Sequence, residues 1–153
     1  MAIQSTVTND LAFGVVGEIQ DTIPSVIDTY IADSASGNIV GYAFTQTEEG
    51  KAVAGGSGVF VGILSNPKAY ANYNTDLEAN TEIRQGTIGE FLTKGRLLLN
   101  VGGAGAIGDL IYFVDATGAL GVGTAGAGQT QIAGAEIVKY VAGANGLALV
   151  QIW

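Results

Sequence analysis

The chain has 153 residues, enough for one domain with a buried core. Six Lys and Arg stand against 14 Asp and Glu, and this net charge of −8 argues against binding to nucleic acid or to anionic membranes, since both need cations. The sequence contains no Cys, so it cannot form disulfides. It contains no His, the commonest metal ligand, and without His and Cys the usual nucleophile–base pairs cannot be built. We therefore expect no catalytic residues, no cofactor and no metal site.

The N-terminal region, residues 1–20, is predicted to be either an arm or a first strand. Its one apolar stretch is Leu-Ala-Phe-Gly-Val-Val-Gly at residues 11–17. Such a stretch can form the first strand in the sheet of its own chain. Alternatively, it can be an arm that docks on a neighbouring chain by adding a strand to an exposed sheet edge. We therefore take Phe13, Val15 and Val16 as candidate contacts to another protein chain. The remaining residues, 21–153, are predicted to form one all-β domain.

The first part of that domain predicts short strands separated by turns. Residues 21–37 mix Pro, Ser and Gly with a few apolar residues, which fits an irregular strand with turns. Residues 38–45 are rich in β-branched and aromatic side chains and predict a strand, which Glu-Glu-Gly at residues 48–50 ends as a turn. Residues 52–57 are predicted to be a flexible approach to the next strand.

Residues 58–98 hold the strongest strand signals in the chain. A strand is predicted from Gly58 until just before Pro67, which lacks the N–H that a ladder needs. Alternation along it puts Val59, Val61 and Ile63 on one face and Phe60 and Leu64 on the other, so both faces are apolar. A second strand is predicted over residues 86–98. The polar residues between the two strands, 68–85, predict a long exposed loop.

The C-terminal third predicts a strand at residues 109–114, a type I turn at 115–118 and a closing hairpin. The two strands of the hairpin are residues 136–141 and 147–153, joined through Asn-Gly, a strong hairpin signal. Residues 118–135 are rich in Gly, Ala, Thr and Gln and predict a wide loop with one weak strand.

One string matches a nucleotide-binding pattern, Gly-Ala-Gly-Ala-Ile-Gly at residues 103–108. That mechanism needs a helix to begin there, so that its N-terminus meets the pyrophosphate. A predicted strand follows instead, so we interpret the string as a turn, with Asp109 organising it.

The acidic residues offer weak alternatives. Asp76, Glu78 and Glu82 could supply carboxylates to calcium, but they lack the spacing of a calcium loop. Glu90 could be a buried acid, although pairing with Lys94 or Arg96 is the commoner arrangement. The simpler interpretation is that Asp76, Glu78 and Glu82 are exposed to solvent and that Glu90 forms an ion pair.

The aromatic residues divide into two groups. Tyr70 and Tyr73 lie in the polar loop, and because exposed Tyr is favoured at protein interfaces they are candidate contacts to another protein chain. The others lie at alternating positions in predicted strands and are expected in the core, namely Phe60, Phe91, Tyr112, Phe113, Tyr140 and Trp153.

The surface composition indicates an assembly component. Only 13% of the residues are charged, against about 25% in average domains. Such a surface is rich in small residues or covered by other subunits. No basic stretch followed by an apolar one opens the chain, so we expect no secretory signal and a soluble protein made in the cytoplasm.

Five strings occur together in an order that resembles the structural cement proteins of tailed bacteriophages. The most specific are Gly-Ile-Leu-Ser-Asn-Pro-Lys-Ala-Tyr at residues 62–70 and Gly-Thr-Ile-Gly-Glu at residues 86–90. Ala-Phe-Gly-Val-Val-Gly-Glu at 12–18, Ala-Ile-Gly-Asp at 106–109 and the final hairpin complete the set. The resemblance is weakest over residues 19–57 and 120–135.

The resemblance implies a compact all-β domain, a barrel or sandwich with little helix, that decorates the outer surface of the capsid and clamps adjacent major capsid proteins. It further implies a homo-oligomer, a trimer or a dimer, in the virion. Two alternatives stay open: another virion or adhesion module, and a small-ligand β-barrel or an enzyme that uses carboxylates.

Overall fold

The computed structural model describes residues 16–20, 23–66, 82–142 and 147–153. These residues form nine strands and no helix, so none of them belongs to a helix long and apolar enough to cross a membrane. The strands are β1 (Val26–Ala32), β2 (Ala43–Glu48), β3 (Lys51–Ala54), β4 (Val59–Leu64), β5 (Ile88–Asn100), β6 (Leu110–Val114), β7 (Leu120–Val122), β8 (Gln129–Ala142) and β9 (Leu147–Ile152). The all-β prediction is confirmed.

Five of the strands close into a barrel. β1 pairs with β3 on one side and with β5 on the other, and β3, β2, β4 and β5 follow one another around the ring. The pairing of β1 with β3 is parallel, and the other four are antiparallel. Closure gives every strand of the ring a neighbour on both sides, which removes the free edges that an open sheet would expose.

The long strand β5 serves two sheets. Its first half pairs with β1 and β4 in the barrel, and its second half, from Gly95 to Asn100, pairs with β9. The second sheet continues through β8 and β6 and ends at β7. The predicted closing hairpin is confirmed, since Ala142 of β8 pairs with Leu147 of β9. The residues that join these two strands lie outside the described ranges.

The barrel wall separates two buried apolar clusters. Phe91 lies in the barrel interior, where its ring centroid is 5.0 Å from that of Phe44, and the adjacent Leu92 lies in the other cluster. Alternation along β5 accounts for this division. The interior cluster consists of Ala32, Val40, Phe44, Ala52, Val61, Leu64, Ile83 and Phe91. The outer cluster joins the back of the barrel to the second sheet through residues such as Ile63, Leu97, Ile111, Phe113, Ile137 and Val150.

The prediction that β4 is apolar on both faces is confirmed, but the assignment of its faces is wrong. Val61 packs in the barrel interior while Ile63 packs in the outer cluster with Phe60, although the sequence put Val61 and Ile63 together. The ladder with β2 is irregular here, because Phe44 pairs with Gly62 and the next residue of β2 pairs with Phe60. One residue is skipped, as in a β-bulge, and such an insertion exchanges the two faces.

Two predicted loops contain more strand than expected. Residues 52–57 were expected to be a flexible approach, yet β3 covers Lys51–Ala54 and Ala52 is fully buried. Residues 118–135 were expected to be a wide loop with one weak strand, yet they contain both β7 and the beginning of β8. Both segments are poor in large β-branched residues, and pairing with their neighbours places them in a sheet.

Smaller differences concern strand ends and one aromatic residue. β2 begins at Ala43, later than the predicted start at residue 38, since Gly41 and its neighbours form a turn. Trp153 was expected in the core but is 68% exposed, because alternation at the end of β9 turns Ile152 inward and Trp153 outward. The Tyr140 side chain lies outside the described part of the structure.

Candidate functional site

One face of the barrel carries apolar side chains that nothing in the described chain covers. In β1, Ile27, Thr29 and Ile31 alternate outward, while Tyr30 turns toward the barrel interior and packs edge-on against Phe91 at 5.8 Å. In β5, Ile88 and Glu90 lie on the same outer side, directly opposite Ile31 and Thr29 in the ladder. We call these five residues, Ile27, Thr29, Ile31, Ile88 and Glu90, the β1–β5 face.

The β1–β5 face is a continuous surface and not a scatter of single residues. Ile31 and Ile88 are directly paired across the two strands and are 39% and 56% exposed. The exposed Val26 extends the apolar strip at the start of β1. Exposed apolar side chains that adjoin one another mark interaction surfaces, whereas single ones need no explanation. Glu90 is the one charged member of the face, and it is exposed, so it is not the buried acid considered from the sequence.

Away from the β1–β5 face, a tight turn presents another exposed apolar residue, Ile107. The Asp109 carboxylate accepts a hydrogen bond from the Ala106 N–H at 2.7 Å, and the Gly108 N–H donates to the Ile137 carbonyl at 2.7 Å. These bonds confirm that Asp109 organises the turn. β6 follows at once, so the glycine-rich string lacks the helix that a nucleotide-binding loop requires. Ile107 is 71% exposed at the tip of this turn.

Glu82 and Asp115 each accept a hydrogen bond within the described part of the structure. Glu82 accepts a hydrogen bond from the Gly37 N–H at 2.7 Å, while Asp76 and Glu78 lie outside the described residues. Asp115 accepts a hydrogen bond from the Thr130 hydroxyl at 2.7 Å. Within the described ranges no group of three or more His, Cys, Asp or Glu is placed to hold a metal ion.

Of the five predicted contact residues, only Val16 lies in the described part of the chain. Val16 is half-buried and lines a cavity of about 310 Å³ with Val40, Tyr42, Asn100 and Leu120. Phe13, Val15, Tyr70 and Tyr73 lie outside the described residues, so all five stay predictions as contacts.

Comparison with known families decides the protein's identity. A family model described as "structural cement protein (E217 gp24/Pam3 gp6)" matches residues 3–152. The chain belongs to the structural cement protein family. This confirms the resemblance drawn from the five strings, and the match extends over the regions where those strings are weakest.

A solved structure supports the fold of this cement protein. A chain from the capsid of Myoviridae phage XM1 superposes with a TM-score of 0.68, covering 99% of this chain and 98% of the other. The two sequences are 15% identical, so the likeness is one of fold. No curated protein sequence matches the cement protein.

Membership in the family indicates where the cement protein is located and what it does. It is a structural protein of the phage virion that decorates and stabilises the capsid. The predicted virion location and structural function are therefore confirmed. Sequence reasoning did not find the β1–β5 face, because Ile31 and Ile88 look like core residues until the strand register pairs them on the outer side of the barrel.

Proposed function

We propose that the cement protein binds the outer surface of the assembled head, clamps adjacent major capsid proteins and acts without catalysis. The family match over residues 3–152 is the observation that carries this proposal. The absence of His and Cys from the sequence supports the non-catalytic part, since the common nucleophile–base pairs cannot be built.

The β1–β5 face is the surface we assign to the capsid. It is the place in the described chain where exposed aliphatic side chains from two strands adjoin one another. Complete burial of a fully exposed Ile side chain is worth about 1.5–3 kcal/mol, and Ile88, which is 56% exposed, contributes a corresponding part of this when the capsid covers it. The barrel is closed behind this face, so the backbone there is held in place before binding and little ordering entropy is lost.

The cement protein can clamp the shell because the capsid lattice repeats, so that one copy can contact two neighbouring capsid proteins. A copy that contacts two neighbouring capsid proteins must lose one of the two contacts when those proteins separate. We propose that the cement protein acts as a homo-oligomer, a trimer or a dimer, because linked copies turn later contacts into intramolecular ones with a high effective concentration. The low charge of the chain, 13% of its residues, suits a surface that other subunits partly cover.

Two matched lysine substitutions test the assignment of the face. Ile88→Lys places a charge beside Ile31 at one end of the β1–β5 face, while Val59→Lys places one on a side chain that is 74% exposed elsewhere on the barrel. Both positions are exposed, so thermal unfolding of each variant should match the parent closely. Ile88→Lys should bind assembled heads at least tenfold more weakly, and Val59→Lys should bind like the parent.

The readout is co-sedimentation of the protein with heads assembled without it, over a concentration series. Unchanged binding by Ile88→Lys would remove the β1–β5 face from the proposal. Equal loss in both variants would show that binding has no preference for this face. If the parent protein itself fails to sediment with heads at micromolar concentration, the decoration role is wrong.

A further inference from the structure

Part of one edge of β1 has no neighbouring strand in the described structure. Each strand of the barrel has a neighbour on both sides, but β3 pairs with β1 only at its last two residues, Ile31 and Ala32. The Ile31 N–H donates to the carbonyl of Gly50 at 2.9 Å, and Gly50 lies in the turn that precedes β3. The earlier residues of β1, Val26–Tyr30, therefore pair with β5 alone.

The alternation of the backbone identifies the groups on this edge. In an antiparallel ladder, the N–H and C=O groups of successive residues point alternately toward the partner strand and away from it. The Ala32 N–H donates at 2.9 Å to the residue just before β5, whereas the Ile31 N–H donates on the opposite side, toward β3. Ile27 and Thr29 alternate in phase with Ile31, so their N–H and C=O groups point away from β5.

We call the outward N–H and C=O groups of Ile27 and Thr29 the free β1 edge. Within the described ranges, these groups have no hydrogen-bond partner. Both residues are accessible to solvent, and Ile27 is 40% exposed. Unpaired backbone groups on an accessible edge strand are a template on which a further strand can pair.

The free β1 edge is continuous with the β1–β5 face. The side chains of Ile27 and Thr29 belong to that face, while their backbone groups form the edge. A strand added at the edge would extend the outer surface of the barrel, and every second side chain of that strand would lie beside Ile27 and Thr29. One extended segment of a partner can therefore bind the backbone and cover apolar side chains at the same time.

Carboxylates surround the free β1 edge. Asp28 lies in β1 itself, Glu90 in the adjacent strand β5, and Glu49 in the turn between β2 and β3. All three are exposed and form no ion pair with a described residue. Lys94 of β5 is exposed as well, whereas the charge of Lys51 is balanced by two carboxylates. The excess of negative charge favours a partner segment that carries Lys or Arg.

A second copy of the cement protein suits this edge less well. In the two-fold register that pairs Ile27 with Thr29 of the other copy, the Asp28 side chains of the two copies lie directly opposite each other. Like charges in directly opposed positions are destabilising. The net charge of −8 adds to the repulsion between copies. The charges thus favour a basic partner over self-association at β1.

We propose that an extended segment of the major capsid protein adds as a strand to the free β1 edge. Its backbone bonds to Ile27 and Thr29, and a Lys or Arg of the segment lies opposite Asp28. This inference rests on the assignment of the β1–β5 face to the capsid and specifies how the contact is made. Main-chain hydrogen bonds fix the register of the partner, which an apolar face alone does not do.

A proline substitution tests the main-chain part of the proposal. Thr29→Pro removes an outward N–H, and Pro is tolerated on a strand edge whose N–H faces solvent, so the ladder with β5 should persist. Thr29→Val is the matched control, because it keeps the N–H and nearly the same side-chain shape. In co-sedimentation with heads, Thr29→Pro should bind about tenfold more weakly or worse, and Thr29→Val should bind like the parent.

Charge removal tests the basic character of the partner. Asp28→Asn removes one negative charge at the free β1 edge, and Glu136→Gln removes one from β8 in the second sheet. At low salt, Asp28→Asn should bind heads about threefold more weakly, and Glu136→Gln should bind like the parent. The difference should shrink as salt is added, because exposed charges are screened.

Amide exchange of the isolated parent protein, followed by NMR, tests the edge without any substitution. The Ile27 and Thr29 amides should exchange at least about tenfold faster than those of Ile31 and Ala32, which are hydrogen-bonded. Equal protection of all four amides at every protein concentration would mean that the chain itself covers the edge. Protection of Ile27 and Thr29 that grows with protein concentration would assign the edge to a second copy. Either result would overturn the proposal.

The binding series separates this proposal from the decoration role. If Thr29→Pro folds and binds heads as tightly as the parent while Ile88→Lys binds weakly, the β1–β5 face contacts the capsid without strand addition. Equal binding by Asp28→Asn and Glu136→Gln would overturn the basic partner. A parent protein that does not bind heads would overturn the decoration role itself and this inference with it.

Discussion

At the scale of single residues, Lys51 ties together three strands of the barrel. Its Nζ atom lies 3.0 Å from Glu48 Oε2 at the end of β2 and 3.3 Å from Asp33 Oδ2 just after β1. The hydrogen bond to Glu48, then that to Asp33, together with the charges of both carboxylates, raises the pKa of Lys51 above its ordinary value of 10.5. The charged form is therefore favoured in the folded protein.

The raised pKa fixes the sign of a pH effect. A group with a higher pKa in the folded state stabilises that state fully below its unfolded pKa, and the contribution is lost as the pH rises through the folded pKa. We expect Lys51→Met to lower the free energy of unfolding by a constant amount from neutral pH to about pH 10. Above that range the difference from the parent should shrink.

Urea unfolding of the parent and Lys51→Met at a series of pH values measures this. Lys94→Met is the control, because it removes an exposed lysine that makes no ion pair with a described residue. Tyrosine ionisation affects parent and variants alike and cancels in the difference. A Lys51→Met effect that grows with pH above 10.5 would contradict the assignment.

At the scale of elements, the turn between β6 and β7 joins the second sheet to the barrel. The Ala43 N–H of β2 donates to the Gly118 carbonyl at 2.9 Å, and the Gly56 N–H, just after β3, donates to the Asp115 carbonyl at 2.6 Å. Gly118 has φ of +79°, and a Cβ there would lie 2.4 Å from the Ala43 carbonyl oxygen. Only glycine fits this junction.

Gly118→Ala should therefore destabilise the protein far more than a change of backbone conformation alone. Gly37→Ala is the matched control, since Gly37 has φ of +83° and open space around the added Cβ. The control should cost about 1–2 kcal/mol, the usual cost of the left-handed conformation. Gly118→Ala should cost at least about 3 kcal/mol, because backbone atoms must also move. If urea unfolding gave the same loss in free energy of unfolding for Gly118→Ala and Gly37→Ala, the backbone around Gly118 would have to accommodate the added Cβ without strain.

The sequence predicted the elements whose own residues dictate a strand. β4, β5, β6 and β9 combine β-branched and aromatic side chains with clear boundaries, and each was placed within a few residues. β3 was missed because Lys-Ala-Val-Ala is a weak signal, and barrel closure between β1 and β2 supplies its pairing partners. The beginning of β8 was missed for a similar reason, since Gln131 is held by donating to the Ile111 carbonyl.

The candidate surface was harder to predict than the fold. An Ile in a predicted strand indicates a core position, and nothing local distinguishes Ile88, which is exposed, from Ile63, which is fully buried. Exposure depends on which strands cover a face, and that is a property of the topology. Val16 was predicted as a contact to another chain, and this stays a prediction; the structure places it in a cavity wall.

At the scale of the whole molecule, two cores on either side of one barrel wall give a rigid body for covering a capsid surface. A protein that binds only the assembled shell stabilises that shell by mass action, by about 2.7 kcal/mol per independent site at a free concentration one hundred times the Kd. Stabilisation should therefore continue to grow with the logarithm of concentration after the sites are full.

A capsid-stabilising role can be measured as the temperature at which heads assembled without the cement protein break open, determined at increasing concentrations of added protein. We expect this temperature to rise with the concentration of the parent and of Val59→Lys, and to be much lower with Ile88→Lys at the same concentration. Heads that bind the parent to saturation and still open at the temperature of bare heads would contradict a stabilising role.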